Sequence, residues 1–247
     1  MSLELTVLGC SGTYAGAGNA CSGYLLQGGG VNVLIEAGSG SVANLQQHMD
    51  LAALDAVVLS HAHPDHWLDL PVLRNAWKYV LDLEGLPVYG TAGTLSLAVL
   101  FTSSNDLAPT IAWSTITEGD EIAIGGLSFR FSRTDHPIET LGMRIDSGGT
   151  SLGYSADTAC GWSFRELGDG IDLALCEATF AADEEERAHG VHLTTAQAGA
   201  MARAAGVDRL VLTHMIPTGR PELYREQGSE AFGAQVSLAR PHERYEL

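Results

Sequence analysis

Three imidazoles and a carboxylate fall within six consecutive residues, His61 to His66 (HAHPDH), immediately after the compact apolar run Ala56 to Leu59. Imidazole and carboxylate are the ligands that borderline divalent cations accept. Pro64 restricts the turn so that alternate side chains converge, which places Asp65 and His66 at the start of the next helix. The plain alternative is a solvated turn holding three histidines by coincidence, and the density and spacing argue against it. A short apolar run of this kind fits a strand covered on both faces. The chain must therefore fold so that a buried strand ends in a cation site.

The flanking patterns supply the layers. Leu3 to Leu8, Gly23 to Gln27 and Val31 to Glu36 read as strands parted by glycine-rich turns, and Val42 to His48 reads as helix. Leu68 to Val80 carries apolar residues at helical spacing, with Pro71 in its first turn. Two hairpins are signalled by Gly125-Gly126 between Glu121–Ile124 and Leu127–Arg133, and by Gly148-Gly149 between Leu141–Ile145 and Ser151–Ser155. Leu173 to Cys176, Leu210 to Thr213 and Gln235 to Leu238 read as further strands. Thr194 to Ala205 and Pro221 to Phe232 read as helices, the second opening on proline. Two β-rich halves, each ending in strand and helix units, predict an α/β fold of four layers, αβ/βα, with two mixed sheets face to face and helices outside. With 247 residues and no low-complexity linker, residues 1–247 are expected to form one domain.

Charge limits the partners. Thirty acidic residues against 13 basic ones give a formal charge of −17, which repels a phosphate backbone wherever a local basic patch is lacking. A long nucleic acid is an awkward substrate, whereas a small phosphoester could still bind beside divalent ions. No apolar run approaches bilayer length and no basic-then-apolar leader follows Met1, so a soluble, cytoplasmic protein without a membrane partner is expected. Cys10, Cys21, Cys160 and Cys176 show no CxxC spacing and are expected to be reduced and mostly buried.

The HAHPDH segment matches the HxHxDH signature at every defined position, and at this point the chain resembles the metallo-β-lactamase superfamily over nearly its full length. The resemblance implies three more ligands at later strand ends, and they match His136 in RTDHPIETLGMRI, Asp157 in LGYSADTACG and His214 in LVLTHMIP. Carried over by position, His61, His63 and His136 would hold one divalent ion and Asp65, His66 and His214 a second, with Asp157 bridging. Zinc is the expected metal, and manganese or iron suits the same ligands. Ala156 stands where relatives often have glycine before the aspartate, which is compatible unless that residue needs a positive φ. His48, His189 and His242 lack such context and are read as surface residues.

Two divalent ions sharing a water lower its pKa and polarise the substrate's oxygen, so hydrolysis by a bridging hydroxide follows. Asp65 would serve as ligand and as orienting or proton-accepting carboxylate. Glu177 in LCEATF and His192 in GVHLTTAQ resemble the pair found in the phosphodiesterase branch that includes the tRNA 3′-processing endonucleases. There His192 would stabilise a phosphoryl oxygen or protonate the leaving alkoxide; the ordinary readings are a helix-starting histidine and a strand-end carboxylate. Only 20 residues separate His136 from Asp157, filled by a hairpin, which leaves no room for the RNA-gripping arm of the tRNA-processing members. The compact form looks like the short-chain phosphodiesterases, so the expected substrate is a small phosphodiester, a cyclic nucleotide first. A lactonase or esterase on the same fold is the rival, and a tRNA endonuclease or a non-catalytic metal-binding module ranks lower. Relatives often dimerise, and a homodimer is expected on that ground. Trp67, Trp162 and Tyr14 could stack on a base, although core packing is the simpler role. The loop CSGTYAGAGNAC (10–21) is a candidate rim of the site.

Overall fold

The computed structural model describes residues 3–102 and 106–247. The first half of the chain supplies β1 (Glu4–Ser11), β2 (Ala20–Cys21), β3 (Gly23–Gly28), β4 (Val31–Ile35), β5 (Ala56–Val58), β6 (Leu86–Gly90) and β7 (Ile111–Thr115). The second supplies β8 (Glu121–Ile124), β9 (Leu127–Arg133), β10 (Leu141–Ser147), β11 (Thr150–Tyr154), β12 (Leu173–Glu177), β13 (Arg209–Thr213) and β14 (Ser237–Leu238), and β15 (Arg244–Glu246) crosses back to the first sheet. One sheet runs β15-β1-β3-β4-β5-β6-β7 with β2 beside β1, and the other β14-β13-β12-β11-β10-β9-β8. In both, an antiparallel meander gives way to parallel strands, β4 to β7 in one and β11 to β14 in the other. Both sheets are mixed, as the sequence predicts.

Alternation along each strand builds three apolar layers. Leu5, Val7, Tyr24, Leu26, Val33 and Val58 of the first sheet face Phe129, Phe131, Met143, Ile145, Leu173 and Leu175 of the second. Tyr24 and Tyr154 meet edge to face across this layer at 5.5 Å, and the Tyr24 hydroxyl lies 2.7 Å from Thr213 Oγ1, just before His214. The opposite face of the first sheet, with Leu25, Leu34 and Val57, packs on α1 (Ser41–Leu45), α2 (Pro64–Trp67), α3 (Leu70–Ala76) and α4 (Ala92–Leu100). Beyond a short α5 (Glu185–Ala188), α6 (Thr195–Ala204) and α7 (Pro221–Phe232) cover Ala174, Cys176, Leu210 and Leu212 of the second sheet. The order helix, sheet, sheet, helix is the four-layer sandwich.

Several elements differ from their sequence reading. The helix predicted over Leu68 to Val80 starts at Pro64, stops, and restarts as α3, because Pro71 has no N–H to give the carbonyl four residues back. Pro71 does sit in the first turn of α3, and a wider π turn over Trp77–Leu81 follows. The helix at Val42 is shorter than predicted and the strand at Gln235 is reduced to Ser237–Leu238. Strands β6 and β7, helix α4 and strand β15 carry no sequence prediction. Thr194 is the N-cap of α6 in a capping box with Gln197. All four cysteines are free thiols, Cys160 being the exposed one, so no bridge joins Cys10 to Cys21. No helix among the described residues is long and apolar enough to cross a membrane.

Helices α6 and α7 approach closely where Gly199 packs against the α7 backbone at Gly228. A Cβ on Gly199 would lie 2.6 Å from the Gly228 carbonyl oxygen and 3.0 Å from Ala231 Cβ. Gly199→Ala gains about 1 kcal/mol of helix propensity but overpacks this seam, which costs about 1–3 kcal/mol. Urea denaturation is expected to show net destabilisation of about 1 kcal/mol, and a more stable variant would contradict the packing described.

Candidate metal centre and proton donor

The carboxyl ends of parallel strands lie on one edge of each sheet, and the chemistry gathers there. The HAHPDH turn leaves β5, Asp157 follows β11, Glu177 ends β12, His214 follows β13, and His136 lies in the connection from β9 to β10. Packing the sheets face to face brings these ends together. Six ring or carboxylate atoms from His61, His63, Asp65, His66, His136 and His214 surround Asp157 in two groups.

In the first group, His61 Nε2 and His136 Nε2 each lie 3.2 Å from His63 Nδ1, and Asp157 Oδ2 is 3.5 Å from His61 Nε2. In the second, His214 Nε2 lies 3.2 Å from both His66 Nε2 and Asp65 Oδ2, and Asp157 Oδ1 is 3.2 Å from His66 Nε2 and 3.4 Å from His214 Nε2. Ligand atoms around a tetrahedral ion with bonds of about 2.0–2.1 Å stand about 3.3–3.4 Å apart. The observed spacings match that edge length in both groups, and the two oxygens of Asp157 face different groups.

The electrostatics suit a cation. Burial, with His66 nearby, holds His61 down at about 3, and burial also lowers His63 and His136, so these rings are neutral near pH 7 and keep a lone pair. Burial opposes ionisation of Asp157, yet the imidazoles of His214, His66 and His61 hold it well below the usual carboxylate range, and Asp65 is likewise lowered against its burial by His66 and His214. Asp157 Oδ1 is buried and makes no well-formed hydrogen bond, although His66 Nε2 and His214 Nε2 stand 3.2 and 3.4 Å away. Such a group is costly unless a cation answers it. His66 is the exception among the imidazoles: despite burial, Asp157 and Asp65 raise it, so a proton there takes the charge a cation would carry. The donor set thus fits divalent metal.

Three rings hydrogen-bond through their other nitrogen and a fourth faces a carboxylate, as metal-ligating histidines commonly do. His61 Nδ1 meets Ser60 Oγ at 2.8 Å, His136 Nδ1 meets the Val191 carbonyl at 2.9 Å, and His214 Nδ1 meets Thr179 Oγ1 at 2.9 Å. His66 Nδ1 lies 3.5 Å from Glu36 Oε1, and Glu36 Oε2 accepts the Ser60 amide at 3.2 Å. Glu36 is fully buried with φ 59. The sequence reading missed it as a functional residue, although a carboxylate directly following the apolar run Val33–Ile35 was the available signal.

Backbone strain marks the same edge. Ala156 has φ 50, so the positive φ that favours glycine is in fact required before Asp157, and the alanine adopts it with its methyl buried. His214 has φ 57. Left-handed conformations cost non-glycine residues about 1–2 kcal/mol each, and they persist only where surroundings fix them. Gly12 has the opposite reason: a Cβ there would lie 2.4 Å from the His214 carbonyl oxygen. Its neighbour Thr13 donates its amide to Asp65 Oδ2 at 2.7 Å, which places Thr13 of the loop 10–21 beside the cluster. Trp67 and Trp162 are buried in the outer layers, and Tyr14 is half exposed. His189 is exposed, whereas His48 and His242 pair with each other at 2.9 Å on the surface.

Glu177 is buried and accepts five hydrogen bonds. Its Oε1 takes the Thr158 amide and His192 Nδ1, both at 2.9 Å, and its Oε2 takes the Thr179 hydroxyl at 2.8 Å with the Thr179 and Leu193 amides at 3.3 and 3.2 Å. Burial disfavours charge on His192, but Glu177 outweighs it and raises the imidazole to about 9. A cleft of about 280 Å³ is lined by Thr13, His63, Pro64, Asp65, Asp157, His192 and His214. His192 therefore borders the same cleft as both ligand groups.

A mixed two-sheet sandwich with a histidine and aspartate cluster at its strand ends defines a metal-dependent hydrolase. Residues 31–215 match the Beta-lactamase superfamily domain, and the chain belongs to that superfamily. It is 31% identical to the probable metallo-hydrolase YhfI of Bacillus subtilis, over 96% of this chain and 97% of the relative. The crystal structure of YhfI superposes with a TM-score of 0.89 at 28% identity over 100% of both chains. A ribonuclease Z of Mycobacterium bovis is 28% identical over 99% of this chain and 98% of its own. That alignment spans 276 positions against 247 residues here, so the ribonuclease carries residues this chain lacks. Yeast PDE1 shares the fold, with a TM-score of 0.79 at 12% identity over 100% and 99% of the two chains.

Glu36→Gln removes the charge facing His66 Nδ1 while keeping the shape. It is expected to weaken zinc binding about 10- to 100-fold in a chelator competition, and an unchanged affinity would show that Glu36 does not orient His66.

Proposed function

We propose that the chain is a binuclear phosphodiesterase acting on a small phosphodiester, with a cyclic nucleotide as the leading substrate. One observation carries the reading: His192 Nδ1 lies 2.9 Å from the buried carboxylate of Glu177, which favours the charged imidazole, and His192 borders the cleft shared by both ligand groups. In this reading His61, His63 and His136 hold one ion, Asp65, His66 and His214 hold another, and Asp157 serves both. Divalent ions bound there would supply Lewis acidity towards phosphoryl oxygens and lower the pKa of a bound water; zinc is the expected metal, with manganese or iron as alternatives.

The chain's own residues divide the remaining work. Asp65, anchored by the Thr13 amide and His214, orients the attacking water and accepts its proton. His192 engages Glu177 through Nδ1, which leaves Nε2 to donate to a phosphoryl oxygen as charge builds or to the departing alkoxide. Glu177 keeps that imidazole charged and fixed. A phosphodiester needs both charge stabilisation and leaving-group protonation, whereas lactones and simple esters make less demand on a second donor.

Size and charge favour a small substrate. The cleft of about 280 Å³ lies at the lower edge of ordinary ligand pockets, about 300–1,000 Å³. The stretch between His136 and Asp157 is occupied by the β10–β11 hairpin, joined at Ser147 and Thr150, and offers no arm to hold RNA. The charge of −17 opposes a polyanion.

His192→Ala is expected to lower kcat on an aryl phosphodiester and on a cyclic nucleotide about 10²- to 10⁴-fold, with bound metal unchanged. A lactone assayed beside them distinguishes the rival reading: robust lactone turnover, indifferent to this substitution and with every phosphodiester inert, would make the protein a lactonase. Precursor tRNA is expected to remain uncleaved.

The pH profile follows from the charged form of His192. Its pKa is raised from 6.5 to about 9, so a step that uses the imidazolium is supported below that value and fails as pH rises through it. Glu177→Gln removes the charge that raises His192, so the alkaline limb of kcat/KM should move to lower pH. A limb unmoved by this substitution would assign it to another group.

A further inference from the structure

We propose that Thr179 is the positioning residue that sets the metal-binding tautomer of His214, so that Glu177 governs a metal ligand as well as the proton donor. The inference rests on the reading above, in which His214 is a ligand. Its basis is an unbroken chain of contacts. His214 Nδ1 lies 2.9 Å from Thr179 Oγ1, Thr179 Oγ1 lies 2.8 Å from Glu177 Oε2, and Glu177 Oε1 lies 2.9 Å from His192 Nδ1. His214, Thr179 and Glu177 are buried, and His192 is largely so.

The direction of each hydrogen bond follows from counting protons. An ionised carboxylate only accepts, and it binds a hydroxyl donor more strongly than a neutral imidazole nitrogen does. Thr179 has one hydroxyl proton, which goes to Glu177 Oε2. Its oxygen can then only accept from His214, which requires the proton on Nδ1. Nε2 is left with its lone pair, and Nε2 is the atom 3.2 Å from His66 Nε2 and Asp65 Oδ2 and 3.4 Å from Asp157 Oδ1.

Comparison with His136 shows why the threonine needs the carboxylate. His136 Nδ1 faces the Val191 carbonyl, an acceptor under all conditions, so that ring is fixed without further help. A hydroxyl can point either way, and only Glu177 behind it makes Thr179 an obligate acceptor. The backbone holds the arrangement: the Thr179 carbonyl accepts the Tyr224 hydroxyl at 3.2 Å and the Ala178 amide bonds the Thr213 carbonyl at 2.9 Å. Thr179 therefore cannot swing away without disturbing β13 beside His214.

The test is zinc titration of metal-free protein with a competing chelator, which needs no turnover. The wild-type chain should bind two equivalents. Thr179→Val keeps the shape but offers Nδ1 no acceptor, and should lose affinity for one equivalent roughly 10- to 100-fold while the other stays within about threefold. Thr179→Ser restores the hydroxyl and should recover the lost affinity, with Thr179→Ala replacing the valine variant if that fails to melt cooperatively. Wild-type affinity for both equivalents in the folded variants without the hydroxyl would overturn the role of Thr179 and leave the ligand assignment standing. A serine variant as weak as the valine variant would also overturn it, because packing and not the hydroxyl would then matter. A wild-type chain that binds no zinc would refute the ligand assignment itself, and the inference with it.

Discussion

The buried charge of Asp157 is the constraint on which the site depends. A carboxylate almost wholly removed from water, with one oxygen making no well-formed hydrogen bond, is tolerated only where positive charge is held against it. Around it stand His61, His66 and His214, each presenting a nitrogen within 3.5 Å. These rings cannot all be protonated together in a buried cluster, since each added proton repels the next. Cations placed between neutral rings and the carboxylate remove the conflict, and the spacing of the donors suits them.

The second layer explains why that cluster stays ordered. Every histidine that presents Nε2 has its Nδ1 engaged or faced by a polar partner: Ser60, Glu36, the Val191 carbonyl or Thr179. His63 is turned the other way and presents Nδ1. The strained backbones of Ala156 and His214 sit directly beside the carboxylate and within the ligand set, where tight packing of two sheets fixes them. Glu177 extends the same logic, since one carboxylate reaches His192 directly and His214 through Thr179. The candidate metal-ligand cluster and His192 thus share a support.

Much of this was legible in the sequence because its signals are local. HAHPDH compresses four donors into one turn, and the glycine pairs at 125–126 and 148–149 mark hairpins that form as read. The stretch from Leu81 to Asp120 was not legible. Pro87 lies inside β6, which is paired on both sides, and proline ordinarily argues against such a strand. β15 is three residues long with charged ends, and only its pairing with β1 makes it a strand. Pro71 was read correctly as a first-turn residue, but of a helix assumed continuous across it. Glu36, Ser60 and Thr179 escaped because their roles exist only after strand ends from both sheets meet, and Ala156 shows a dihedral that composition alone does not reveal.

Asp157 is proposed to lie between two cations. The most direct test is a crystal of the zinc-loaded protein measured at the zinc absorption edge. Two anomalous peaks are expected, one within bonding distance of His61, His63 and His136 and the other of Asp65, His66 and His214, with a carboxylate oxygen of Asp157 reaching each. A single peak, or two peaks of which Asp157 touches only one, would contradict that placement.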